Sequence, residues 1–149
     1  MFVIRLPSLY PARVSRKSPR ITAMIEAFQG QDLDARYLAY FDCFNRQLYF
    51  EAHEVLEELW LPVRPAPQGN FYKALIQLAG AFVHLQKNRL GPSAALLKLA
   101  RANFAPYPVQ YERLNLAGVE HLIAAWLARL ESSGNNPLTP THVPQLALT

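Results

Sequence analysis

Apolar positions recur at three- and four-residue spacing along most of the chain, the period of an α-helix rather than of a strand. From about Asp34 to Arg46, Tyr37, Leu38, Phe41 and Phe44 share one face, and Asp32 or Asp34 can cap the start. Asn45-Arg46-Gln47-Leu48 then reads as a tight turn, because Asn tolerates the left-handed backbone that a turn needs. A second helix is expected from about Tyr49 to Leu61. Ala52, Val55, Leu56, Leu59 and Trp60 form its core stripe, and Glu51, Glu54 and Glu58 form a solvated face. The two segments make an antiparallel helical hairpin.

Residues 61–70 (LPVRPAPQGN) hold three prolines and a glycine and cannot continue a helix. A third helix, about Phe71 to Asn88, is apolar around most of its circumference, as a central helix is. A fourth starts at Gly91-Pro92, since proline is preorganised for the first helical turn, and runs to about Asn103, before Pro106 and Pro108 stop it. A fifth runs from about Leu116 to Glu131. Asn115 is its N-cap, and Val119, Leu122, Ile123, Trp126, Leu127 and Leu130 face inward. Ile21 to Phe28 suits a short helix ending at Gly30. No stretch alternates in the strand pattern, and no repeat of 20–50 residues is seen. The expected fold is all-α, a compact bundle of about five helices centred on Phe71–Asn88. The expected organisation is an arm over residues 1–30, a bundle over 31–133 and a loose Pro/Thr-rich tail over 134–149.

Composition supports one globular domain: 149 residues, 51% hydrophobic and 17% charged. The charge is uneven. Residues 1–30 carry Arg5, Arg13, Arg16, Lys17 and Arg20 against Glu26, which accounts for the whole net charge of +4 and leaves the remainder neutral. Such an arm is either a solvated leader, with Met24 an alternative start, or a weak electrostatic contact to nucleic acid or another acidic partner. No apolar run approaches the roughly 20 residues of a membrane span, and no secretory signal is seen, so a cytoplasmic location is expected. The single cysteine, Cys43, lies in an apolar helical stretch and reads as a buried, inert thiol.

Candidate chemistry concentrates in FEAHEVLEELW (residues 50–60). On a helix His53, Glu57 and Trp60 stack on one border of the apolar stripe, and a His and a Glu four residues apart can bind one metal ion or each other. The zincin motif is absent, because the position of its second His holds Glu57. On the third helix Lys73, Gln77 and His84 fall within an arc of about 40°, with Gly80 beside it. Such a narrow polar stripe must face solvent or a polar cavity. Glu120-His121 diverge by about 100° on a helix and cannot readily act on one atom. Nucleotide-binding, nucleophile-elbow and cysteine–zinc motifs are absent.

These residues carry a resemblance. The string from Phe50 to Trp60, followed by FYKALIQLA (71–79) and His84, resembles the bacterial domain-of-unknown-function family 309, over about Arg36 to Leu99. The resemblance implies an all-α bundle with no assigned activity. Family-type positions fall on His53, Glu54, Glu57, Trp60, Gln77 and His84, while the Gly usual in the family's hairpin turn is missing here.

Two functional expectations follow. In the first, His53, Glu57 and His84 hold a divalent metal ion, Trp60, Lys73 and Gln77 line the ligand site, Glu54 or Glu57 acts as a base, and residues 61–70 cover it; hydrolysis is the chemistry such a site would support. In the second, the domain is a non-enzymatic helical interaction module, able to pair as a homodimer, in which the His53–Glu57 pair is structural.

Overall fold

The structure, a computed structural model, describes residues 18–149. Four of the arm's five basic residues, Arg5, Arg13, Arg16 and Lys17, lie outside that range, and with them the expected contact to an acidic partner. Six helices make up the described residues: α1 (Pro19–Glu26), α2 (Ala35–Asn45), α3 (Tyr49–Trp60), α4 (Gly69–Gln86), α5 (Leu90–Phe104) and α6 (Leu116–Ser133). A short 3-10 turn, Leu61–Val63, continues from α3, and a two-residue antiparallel ribbon, β1 (Gln110–Tyr111) with β2 (Leu114–Asn115), precedes α6. None of the described helices is long and apolar enough to cross a membrane.

The helices form where the period places them, and their caps are the ones the side chains offer. Asp34 caps α2 by accepting from the Arg36 amide at 2.8 Å. Asn115 caps α6 through the Ala117 and Gly118 amides. The α2–α3 hairpin is present, but its left-handed residue is Gln47 (φ 60°), not Asn45, which stays helical.

Helix α4 is the centre of the bundle. It packs most extensively against α5 and also against α3, which in turn packs on α2. Phe82 shows why. Its ring contacts Phe44 of α2, Tyr49 of α3 and Trp126 of α6, with centroids 5.7, 5.3 and 5.0 Å away. Aromatic pairs of this kind add about 0.5–1.5 kcal/mol each beyond the area they bury. The fully buried Tyr40 hydroxyl donates to the Leu75 carbonyl of α4 at 2.6 Å. Cys43 is buried as expected, its Sγ 3.6 Å from Met24 Sδ, and burial pushes the thiol up to about 11.

Three features depart from the sequence-based picture. The Pro-rich segment before α4 is fastened from a distance: the Tyr107 hydroxyl donates to the Pro67 carbonyl (2.6 Å) and accepts from the Phe71 amide (2.9 Å). The ribbon turns through Glu112 and Arg113, both with positive φ (51° and 60°), a turn usually marked by Asn-Gly. The segment after Gly134 is not loose. Gly134 ends α6 in the left-handed conformation (φ 70°), and the chain then returns across the bundle. There, Asn136 Nδ2 donates to Leu85 O at 2.6 Å, His142 stacks on Trp126 at 4.6 Å, and Leu146 is buried. Asn45 clamps the Leu146 backbone with two 2.7 Å hydrogen bonds, and Thr149 N donates to Arg113 O at 2.8 Å.

Candidate functional site

Helix α3 buries one edge, and polar groups fall on it at four-residue spacing: Tyr49, His53 and Glu57. His53 and Glu57 are both 0% exposed. A buried imidazole and a buried carboxylate are costly unless compensated, so their surroundings decide what they do. Glu57 Oε1 lies 3.3 Å from His53 Nε2. On the other side of the ring Glu54 Oε2 lies 3.6 Å from His53 Nδ1. The imidazole therefore sits between two carboxylates, one toward each nitrogen.

The Glu57 oxygens make no hydrogen bond among the described residues, nor does the buried Tyr49 hydroxyl. The cluster His53, Glu54 and Glu57 brings one ligand atom from each residue within 4.8 Å of the others. Glu54, placed on the solvated face by periodicity, is thus drawn against His53, and its side chain is only 16% exposed. Helical neighbours diverge by about 100°, but a glutamate is long enough to lean back along the helix surface.

The other candidates are distributed as follows. His84 does not join that cluster; it lines a cavity with Phe50, Val83, Lys87 and Arg89. Phe50 borders both histidines, since its ring centroid is 5.4 Å from that of His53 and the residue is 51% exposed. Gln77 is buried and turned toward α5, where its Oε1 accepts from Asn103 Nδ2 at 2.8 Å. Lys73 is half-buried and makes no ion pair among the described residues. Trp60 belongs to the core, with the Arg64 guanidinium 5.9 Å over its ring. His121 is exposed, and Glu120 lies 4.0 Å from Arg101 rather than facing its neighbour. Tyr49 was not among the sequence candidates, although the spacing 49, 53, 57 is the signal that finds it.

Fold and site together define an all-helical protein whose second long helix carries a buried His–Glu turn. Residues 37–96, from α2 into the first half of α5, match the model of the family described as a domain of unknown function (DUF309), the family that the α3 string resembles. No curated protein and no solved structure matches the chain.

Proposed function

We propose that the domain binds a divalent metal ion of the zinc type on the α3 turn, with His53 Nε2 and the Glu57 carboxylate as ligands and Glu54 orienting the imidazole. The observation that carries this reading is the imidazole held between two carboxylates beside a buried Glu57 with no hydrogen bond among the described residues.

The distances support it. Zinc sits about 2.0–2.2 Å from imidazole nitrogen and carboxylate oxygen, so two ligands at a tetrahedral angle lie roughly 3.3–3.4 Å apart. Nε2 and Oε1 are 3.3 Å apart. A ligating histidine usually donates its other ring N–H to a carboxylate, which fixes the tautomer. Glu54 stands on that side. An imidazole with a carboxylate suits zinc better than calcium or magnesium, which prefer all-oxygen sets. A divalent ion there would supply Lewis-acid polarisation, the basis of any hydrolytic chemistry. In that reading Tyr49 would complete the polar edge of the site.

The competing reading, a structural His–Glu pair in a helical scaffold, rests on the same separation and the same full burial. Metal content separates the two. Protein loaded with Zn²⁺, then dialysed, is assayed by elemental analysis beside Glu57→Gln, which keeps the side chain's shape, and His53→Ala. Near-stoichiometric zinc in the parent and its loss in both helical variants supports the proposal. A metal-free parent, or Glu57→Gln retaining zinc, sinks it.

A further inference from the structure

The cavity lined by Phe50, Val83, His84, Lys87 and Arg89 measures about 170 Å³. That is below the roughly 300–1,000 Å³ of drug-sized sites, so its occupant is small. One wall is apolar, and the exposed Phe50 ring forms part of it. The polar groups of the lining are two cations and an imidazole, with no acidic residue among them.

Cations at a helix C-terminus commonly serve its free carbonyls. Here two of those carbonyls have other donors. His84 O accepts from the Lys87 and Arg89 amides (3.0 and 2.8 Å), and Leu85 O accepts from the Asn88 amide (3.0 Å) and Asn136 Nδ2 (2.6 Å). The backbone turn that achieves this passes through Asn88 at φ 56° and brings Lys87 and Arg89 to the same cavity. Neither side chain makes an ion pair or hydrogen bond among the described residues. Their field reaches His84, whose ring is held below the usual histidine range by burial and then by Arg89 and Lys87. A small cavity with an aromatic wall and an uncompensated positive rim is complementary to a flat anion.

We infer that this cavity binds a small aromatic anion, its ring against Phe50 and Val83 and its anionic group between Lys87 and Arg89. The site is separate from the Glu57 carboxylate and does not rest on the metal reading, although Phe50 borders both. The size argues against a nucleic-acid strand, for which a longer charged groove would be needed.

Phenyl phosphate tests the inference. The full chain is titrated at constant ionic strength while the His84 imidazole and Phe50 ring resonances are followed by NMR, with inorganic phosphate and a short single-stranded DNA as parallel probes. Saturable shifts with phenyl phosphate are expected at concentrations where inorganic phosphate gives little. The double variant Lys87→Gln/Arg89→Gln, both exposed positions, is expected to keep its melting temperature and bind about tenfold more weakly. Phe50→Ala is expected to erase the preference for phenyl phosphate over inorganic phosphate. Absence of saturable shifts, an unchanged affinity in the double variant, or equal response to inorganic phosphate overturns the inference. So does DNA shifting these resonances where phenyl phosphate does not.

Discussion

Replacing Asn45 by Ala measures how firmly the C-terminal segment is fastened to the bundle. The Asn45 amide donates to Leu146 O and accepts from Leu146 N, both at 2.7 Å, across a sequence separation of 101 residues. Each bond contributes about 1 kcal/mol net, so losing both costs about 2 kcal/mol. Leu146 itself is 6% exposed, and its burial contributes a further ~2 kcal/mol that the substitution leaves intact. The segment should therefore stay docked but open more often. Hydrogen exchange at the Thr149 amide, which donates to Arg113 O and keeps that acceptor in the variant, reads this, and about 2 kcal/mol corresponds to exchange faster by roughly thirtyfold. If release of the segment is coupled to global unfolding, the same loss lowers Tm by roughly 4–8 °C. Asn45→Asp retains an acceptor for Leu146 N but sets a carboxylate oxygen against Leu146 O where the amide donated, so at least half the effect is expected. Thr149 exchanging at its unprotected rate in the parent protein, or unchanged in Asn45→Ala, would refute the reasoning.

Two further outcomes follow from local geometry and charge. At Gly69 a Cβ would run into the Arg64 carbonyl, which is backbone and cannot swing aside, so Gly69→Ala should cost about 1–3 kcal/mol and lower the urea midpoint without changing the slope; an unchanged midpoint would mean the Pro-rich segment retreats freely. His84 is held below its ordinary value of 6.5 by burial first and by Arg89 and Lys87 after it. Between the folded and unfolded values the unfolded chain binds the extra proton, so this stability is fully present above about pH 6.5 and is lost as pH falls toward the folded value. Denaturation midpoints measured across that interval should flatten in His84→Gln, and an identical slope in parent and variant would exclude His84 as the source.

Helix positions were legible because burial on one face imposes a period that the sequence must carry. The caps at Asp34 and Asn115 were legible for a similar local reason. Interactions between distant residues were not. Asn45 was read as a turn former, a role its own neighbourhood suggests, whereas its amide serves Leu146. The ribbon went unseen because Glu112-Arg113 lacks the usual turn chemistry and Leu114 finds its second partner in Leu148, far along the chain. At the candidate site, four-residue spacing brought His53 and Glu57 together correctly. Spacing could not show that Glu54 leans back to the imidazole. Nor could it show that the Lys73–Gln77–His84 stripe divides, with Gln77 turned to Asn103 and His84 to a cationic cavity.

The Tyr107 hydroxyl has a bearing on modularity. Helix α4 has no side-chain cap at Gln68, and its Phe71 amide is met by a phenol 36 residues downstream. That phenol lies beyond residue 96, where the match to the family model stops. The recurrent segment thus ends before the chain supplies the latch that closes its own central helix. In this chain the residues that follow the matched segment are therefore part of its architecture and not packaging around it.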